Sequence, residues 1–222
     1  MILITRPKKQ ANSITKKLIK LGHKVLVDSL LEIHTQQNSN IIIPKPQAFV
    51  ITSANAINFI AKIDLNHQVK FFTIGQRTAS EVQKIGFKNI KIADNSVISL
   101  RNSLLAETKK ENGAIIYFAG DIITYDLEKF FQKQNFNFKT ILAYKTTPIQ
   151  DFKKETIEAI KIRKIKTVLI YSNRTAEIFW YLLKKNNLLE IAQKLQIQCL
   201  SQKIAKFFLD RRFQKVSILS FE

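Results

Sequence analysis

The fold class of this chain is decided by the stretch FVITSANAI, residues 49–57, in which an apolar strand runs directly into a helix start. Residues 49–52 predict a buried strand, Ser53 stands where a helix N-cap belongs, and Ile57 and Ile60 follow on one helix face. The same pattern returns at residues 167–183, with a serine again at the start of the helix. Strands that alternate with helices in this way predict an α/β protein, with parallel sheets flanked by helices.

The second half of the chain echoes the first, which predicts an internal duplication in the order A, B, A′, B′. Repeat A is a strand, an amphipathic helix and a strand. Gly22 stands at the end of the helix in the first copy, and Asn135 takes the same position in the second copy. Repeat B holds the stretch above, and its later part, residues 73–79 (TIGQRTA), aligns without gaps with residues 199–205 (CLSQKIA). We expect these residues on the apolar face of the first helix: Ala11, Ile14, Leu18 and Leu21.

Composition alone does not decide whether the protein has an anionic partner. The chain has 36 Lys and Arg against 17 Asp and Glu, a formal charge of +19, which would suit one. The lysines are scattered, however, and abundant Lys, Ile, Asn and Phe are typical of an AT-rich coding sequence, so compositional drift and solvated faces are the preferred explanation of the charge. No apolar run is long enough to span a membrane, and Cys199, the single cysteine, fits a reducing compartment. We expect a cytoplasmic protein, and its 222 residues suit one large domain or two small ones.

Several common sites are absent from the sequence. There is no glycine-rich dinucleotide fingerprint, no GxxxxGK[ST] phosphate loop and no GxSxG nucleophile elbow. The three histidines lack metal-binding spacing, and Cys199 lies within a predicted strand rather than at a helix start. We therefore expect neither a metal nor an organic cofactor.

Small hydroxyl residues mark the turns that lead from strands into helices. Such turns meet at the carboxyl edge of a parallel sheet, where ligands bind. Each helix start presents backbone N–H groups and a partial positive charge, worth about 0.3–1 kcal/mol toward an anion. The serines could equally be simple helix caps, but their recurrence in both halves favours an anion site. The turns are residues 52–55 (TSAN), 75–78 (GQRT), 172–175 (SNRT) and 201–202 (SQ).

Six short motifs, in order along nearly the whole chain, resemble the uroporphyrinogen-III synthase family. They are residues 4–7 (ITRP), 21–25 (LGHKV), 51–57 (ITSANAI), 74–79 (IGQRTA), 141–148 (ILAYKTTP) and 171–173 (YSN). The resemblance implies two similar lobes joined by a two-stranded linker, with the active site in a cleft between them. One lobe would comprise residues 1–34 and 147–222, the other residues 36–143, and the linker would lie near residues 34–36 and 143–147.

The resemblance also implies an activity and its partners. The family's substrate is hydroxymethylbilane, a linear tetrapyrrole polycarboxylate, and the product is uroporphyrinogen III of haem biosynthesis. The enzyme, a cyclising hydro-lyase without a cofactor, dehydrates the chain and closes the ring with its last pyrrole inverted. We expect a monomer that binds no nucleic acid and no membrane and makes transient contact with the enzyme that supplies hydroxymethylbilane.

Site residues follow from matching the motifs position by position. Tyr144 would assist departure of the substrate hydroxyl, since a phenol can donate a proton, although it could instead be a linker tyrosine packed on a lobe. Arg6 and Arg77 suit carboxylates because guanidinium is a planar fork of donors, but either could be a surface arginine. The residues that we expect to bind substrate are Arg6, Ser53, Ala54, Asn55, Gly75, Gln76, Arg77, Thr78, Ser172, Asn173, Ser201 and Lys203.

The chain departs from the family pattern at three places. Residues 201–205 (SQKIA) stand where the family often has Gly-Pro-Thr-Thr-Ala, so threonine contacts cannot be carried over there, although Lys203 could supply a charge. Arg212 replaces a helix-ending glycine. Asp121 follows Gly120 where the family tends to have a glycine–arginine pair.

Two other functions remain open on the sequence alone. The charge of +19 and the sixteen phenylalanines would suit a non-catalytic nucleic-acid-binding module. Most of these phenylalanines fall at core spacing, however, rather than in one exposed stripe among lysines. A two-lobed glycosyl transferase or small-ligand receptor would share the cleft and prefer a nucleotide or a sugar.

Overall fold

Two sheets organise the chain, each in its own unit. The structure, a computed structural model, describes residues 1–37, 41, 43, 45–94 and 96–219. Unit 1 comprises Met1–Glu32 and Thr147–Glu222, and unit 2 comprises Ile33–Thr146. The described strands are β1 (Ile2–Ile4), β2 (Val25–Val27), β3 (Leu31–Thr35), β4 (Pro46–Ile51), β5 (Lys70–Ile74), β6 (Ile90–Ala93), β7 (Ala114–Gly120), β8 (Phe138–Pro148), β9 (Thr167–Ile170), β10 (Gln196–Cys199) and β11 (Lys215–Ile218).

Helices connect these strands. The described α-helices are α1 (Lys8–Lys20), α2 (Ile57–Ile60), α3 (Gln76–Lys84), α4 (Val97–Glu107), α5 (Leu127–Gln132), α6 (Lys154–Lys161), α7 (Asn173–Lys185), α8 (Leu189–Ala192) and α9 (Gln202–Leu209). Short 3₁₀ turns at Ala54–Ala56 and Lys110–Asn112 supplement them. The strand–helix alternation predicted from the sequence is confirmed, whereas β3, α4, α6 and α8 were not predicted.

The two sheets share one strand order. In unit 1 the order is β2-β1-β9-β10-β11, with parallel neighbours throughout. In unit 2 the order is β3-β8-β7-β4-β5-β6, parallel from β8 to β6. Apart from β3, each sheet therefore joins the strand pair of one repeat A to the strand triplet of the other copy's repeat B. This is the arrangement expected if two duplicated segments exchanged halves.

The central strands are apolar on both faces because helices cover both sides of a parallel sheet. All of β7 is buried, and neighbouring positions enter different cores. In unit 2, Phe49 and Phe71 join the core on one face, while Val50 and Phe72 join the core on the other. Continuous apolar runs, rather than alternating ones, are the sequence signature of this arrangement.

Helix ends repeat between the copies and correct one prediction. In both copies of repeat A, a residue shortly after the end of the helix has a positive φ. It is Gly22 after α1, with φ 81°, and Asn135 after α5, with φ 62°. Gly86 and Arg212 are a second such pair, with φ of 99° and 63°, so the arginine occupies a conformation that favours glycine. The placement of Leu21 on the apolar face was wrong. Helix α1 ends at Lys20, and Leu21 is 64% exposed at its C-cap.

A buried aspartate joins the two sequence segments of unit 1. Asp28 is 1% exposed, and its Oδ2 accepts hydrogen bonds from the Lys153 N–H at 2.9 Å and the Thr156 hydroxyl at 2.7 Å. Lys153 is the N-cap of α6, where no side chain of the helix itself caps the N–H groups. The carboxylate therefore satisfies a helix start and stabilises its positive end.

We expect Asp28→Ala to lower the free energy of unfolding of unit 1 by about 2–3 kcal/mol, since the Thr156 hydroxyl would remain buried without its acceptor. Trp180, the single tryptophan, lies in α7 of unit 1, so its fluorescence during urea titration reports that unit. Asp210→Ala is the matched control, because Asp210 is exposed and its loss should cost less than about 0.5 kcal/mol. Equal losses in the two variants would contradict the role of Asp28.

Candidate functional site

The strand order defines where each unit can bind a ligand. In unit 1 the chain proceeds from β1 to β2 in one direction and from β9 to β10 and β11 in the other. In unit 2 it proceeds from β7 to β8 and, in the opposite direction, from β4 to β5 and β6. Ligands of open α/β sheets bind at the carboxyl ends of strands at such a switch point. The β1/β9 and β7/β4 edges are therefore the candidate sites.

At the edge of unit 1, the structure brings Arg6 to the Tyr171-Ser172-Asn173 turn. The Thr5 hydroxyl donates to the Leu169 carbonyl at 2.7 Å, which ties the end of β1 to β9. The guanidinium of Arg6 lies 4.2 Å from the centre of the Tyr171 ring. Burial raises the pKa of Tyr171, and the charge of Arg6 offsets part of that rise. A positive group thus lies beside a helix start at the switch point.

The two serines of unit 1 cap their helices. The Ser172 Oγ accepts from the Thr175 N–H at 3.1 Å, and the Ser201 Oγ accepts from the Ile204 N–H at 3.4 Å. Lys203 and its neighbour Gln202 are exposed on the first turn of α9. The side-chain oxygens of the serines are thus used within the fold. Any anion would be bound by the backbone N–H groups of the first helical turn, which have no acceptor within their own helix.

The first predicted turn of unit 2 follows β4. The Ser53 Oγ accepts from the Asn55 N–H at 3.3 Å and caps the 3₁₀ turn that begins at Ala54. Ser53, Ala54 and Asn55 are all partly exposed. The turn therefore lies at the surface of the β7/β4 edge, as a ligand site requires.

The second predicted turn of unit 2 follows β5. Gly75 has φ 73° and ψ 148°, a backbone conformation that only glycine adopts readily, and α3 begins at the next residue. Gln76 and Arg77 are exposed, whereas the Thr78 side chain is 7% exposed and belongs to the interior. The turn therefore exposes the side chains of Gln76 and Arg77, whereas Thr78 packs in the interior beneath the helix start.

Tyr144 packs against the backbone of Gly120 at the end of β7. An irregularity in the register follows Ala119, so that Gly120 pairs with Tyr144. A Cβ at Gly120 would lie 2.6 Å from Cζ, 2.7 Å from Cε2 and 2.8 Å from Oη of Tyr144. Only the absence of a side chain allows the ring to lie there, half-buried against the core that contains Phe118.

Asp121 holds the strand segment around Tyr144. Its N–H donates to the Tyr144 carbonyl at 3.1 Å, and its carboxylate accepts from both the N–H and the hydroxyl of Thr146 at 3.0 Å each. The acidic residue that departs from the family pattern therefore has a structural role here. It fixes the backbone from the carbonyl of the tyrosine to Thr146.

Unit 2 also contains a cavity that was not predicted from the sequence. It has a volume of about 310 Å³ at the carboxyl ends of β4, β5 and β7, and its lining includes Thr52, Ile74 and Tyr117. The hydroxyls of Thr52 and Tyr117 lie 2.9 Å apart, and either can be the donor. Burial raises the pKa of Tyr117, which keeps the phenol protonated. The only signal for this cavity in the sequence was Tyr117, a residue with a hydroxyl group in an otherwise apolar strand.

Other reactive groups contribute little to these edges. Burial raises the pKa of Cys199 to about 11, so its thiol is protonated near neutral pH. Across the described ranges, no three His, Cys, Asp or Glu side chains are grouped as a metal would require. No helix in the described part of the chain is both long and apolar enough to cross a membrane.

Comparison with known proteins agrees with this geometry. Uroporphyrinogen-III synthetase from Helicobacter pylori is 14% identical, with a TM-score of 0.61 over 97% of this chain and 91% of that chain. A mutant uroporphyrinogen III synthase from the extremely thermophilic bacterium Thermus thermophilus is 13% identical, with a TM-score of 0.57 over 100% of this chain and 92% of that one. At such identities the likeness shows the fold alone, and no curated protein matches. The family model described as uroporphyrinogen-III synthase HemD matches residues 12–218, so the chain belongs to the uroporphyrinogen-III synthase family.

Proposed function

We propose that the helix starts at the β1/β9 and β7/β4 edges bind the carboxylates of hydroxymethylbilane, which the protein converts to uroporphyrinogen III. The family consists of cyclising lyases of tetrapyrrole biosynthesis. One observation carries the proposal for this chain. The same strand order in both units places a serine-capped helix start at each switch point, so backbone N–H donors suited to carboxylates recur in each unit.

The reaction needs conformational control more than strong catalysis. Loss of the hydroxyl from the first ring produces a reactive azafulvene, and the substituted carbon of the last ring attacks it to form a spiro intermediate. That intermediate opens and closes again with the last ring inverted. Unaided closure gives the symmetric isomer, so the protein must hold the chain in the bent geometry. Arg6, Arg77 and Lys203 add positive charge to the N–H groups that hold it.

Tyr144 is the proposed proton donor for the departing hydroxyl. Its phenol would protonate that oxygen, which leaves as water, and the proton released when the last ring regains aromaticity restores the phenol. Two observations support this role: the ring packs closely against Gly120, and Asp121 fixes the backbone at Tyr144 and Thr146.

Finer features of the protein remain proposals. We propose that it works as a cytoplasmic monomer that meets the enzyme supplying hydroxymethylbilane only transiently. The buried, protonated thiol of Cys199 is compatible with a reducing compartment.

Coupled to a source of hydroxymethylbilane, the purified protein should give mainly the type III isomer. We expect this result without any added metal or cofactor, since the substrate is intrinsically reactive. Chromatography of the oxidised porphyrins measures the isomer ratio, with heat-denatured protein as the control. A ratio identical to that control would contradict the proposed function.

We expect Tyr144→Phe to lower kcat by about a hundredfold, the lower end of the contribution of a positioned acid. Gly120→Ala should also lower kcat, because the new Cβ displaces the ring, and the double variant should be no slower than Tyr144→Phe alone. Tyr181→Phe is the matched control, since Tyr181 is 59% exposed in unit 1. Steady-state kinetics of each variant measure kcat. An unchanged kcat in Tyr144→Phe, with intact folding, would remove Tyr144 from the mechanism.

Two substitutions at Ser172 separate an anion site from a simple helix cap. Asp and Asn cap helices as well as Ser does, so Ser172→Asp and Ser172→Asn should both keep their stability. The added negative charge of Ser172→Asp should raise KM about tenfold through repulsion of a substrate carboxylate. Ser172→Asn should leave KM nearly unchanged. Equal KM values for the two variants would show that no carboxylate binds at this turn.

A further inference from the structure

We propose that the cavity of unit 2 binds a single pyrrole ring of the substrate and that the Tyr117–Thr52 hydroxyl pair donates a hydrogen bond to one of its carboxylates. This inference rests on the proposed function and adds to it a site for one defined part of the substrate. Tyr144 does not line the cavity, although it is close enough to add to the rise that burial causes in the pKa of Tyr117. Tyr117 belongs to the core on one face of the sheet, and Tyr144 packs against the core on the other.

The volume of the cavity suits one ring and excludes the whole substrate. At about 310 Å³ it lies at the lower end of the range for small-molecule pockets. A five-membered ring with two short acid side chains fits this volume, whereas a linear tetrapyrrole does not. The rest of the chain would therefore remain outside the cavity.

Four of the eight residues that line the cavity are aliphatic, and their side chains suit the faces of an aromatic ring. Ile74 and Val97 contribute from β5 and α4. Ile122 and Ile123 contribute from the loop after β7, although they are 54% and 44% exposed. Large aliphatic side chains at an exposed loop cost free energy unless something covers them. An aromatic ring that enters between these walls would cover them.

The other four lining residues carry hydroxyl groups, and two of these hydroxyls form a pair. Tyr117 is 5% exposed, and its hydroxyl faces that of Thr52 at 2.9 Å. One O–H of the pair is used in this bond, and the other remains available to donate to an acceptor in the cavity. A carboxylate oxygen is the acceptor that such a donor binds most strongly.

The loop wall is held in place by an arginine. The Arg101 guanidinium donates to the Tyr125 hydroxyl at 3.0 Å and lies 4.6 Å from the centre of the Phe130 ring. Tyr125 lines the cavity, so Arg101 also brings a positive charge close to it. The same side chain thus supports the wall and favours an anionic ligand.

Filling the cavity provides the first test. Val97 and Ile98 are neighbours in α4, but only Val97 lines the cavity, and Ile98 is 43% exposed. Val97→Phe should raise KM at least about tenfold, since the added ring occupies the space of the pyrrole. Ile98→Phe, the matched control, should leave KM unchanged. Equal kinetics in the two variants, with equal thermal stability, would overturn the proposal.

Removal of the hydroxyls provides the second test. Tyr117→Phe and Thr52→Val should each raise KM about tenfold, as expected for loss of a hydrogen bond to a charged group. The double variant should be little worse than either single one, because the two hydroxyls act as a unit. Additive effects would show that the pair does not bind a common carboxylate.

A direct binding experiment separates this proposal from the proposed function. The probe is a monopyrrole that carries one acetate and one propionate side chain, titrated into the full chain and followed by the amide NMR signals of Ile122 and Ile123. Saturable shifts in the wild type that disappear in Val97→Phe would support the subsite, even if the assay gave only the type I isomer. Shifts that are absent in the wild type, or persist in Val97→Phe, would overturn it even if the type III isomer formed.

Discussion

Burial of the central strands on both faces is the constraint on which the rest of the structure depends. All seven residues of β7 are buried, so this strand has no exposed position along its length for a reactive side chain. A polar group there must find a partner within the protein, as Tyr117 does in Thr52. Ligand chemistry is therefore confined to the carboxyl ends of the strands, where the backbone turns into helices. The predicted carboxylate-binding residues of both units lie at these turns, whereas Tyr117 and Tyr144 lie within β7 and β8.

Features decided by neighbouring residues could be predicted from the sequence. The caps at Ser53 and Ser172 depend on a hydroxyl one residue before a helix, and Gly75 on a turn that needs a positive φ. The alternation of strands and helices, and therefore the fold class, could also be predicted from local sequence patterns. Each of these signals lies within a few residues of the structure that it specifies.

Features that depend on distant residues could not be predicted. The packing of Tyr144 on Gly120, the cavity around Tyr117 and the hydrogen bonds of Asp28 to residues more than a hundred positions away leave no local pattern. The exchange of halves between the repeats was implied only by the family resemblance and by no local pattern, because strand order follows from pairing across the whole chain. Leu21 was placed wrongly because apolar spacing continued past the last helical turn.

The inserted position of unit 2 has a consequence for biosynthesis. A ribosome releases Met1–Glu32 early, but the strand that pairs with β1 on its other side arrives only after Thr147. By then all of unit 2 has been synthesised, so it can fold before unit 1 is complete. The nascent β1–α1–β2 segment must meanwhile leave one edge of its apolar strands unpaired, which exposes it to aggregation when translation stalls.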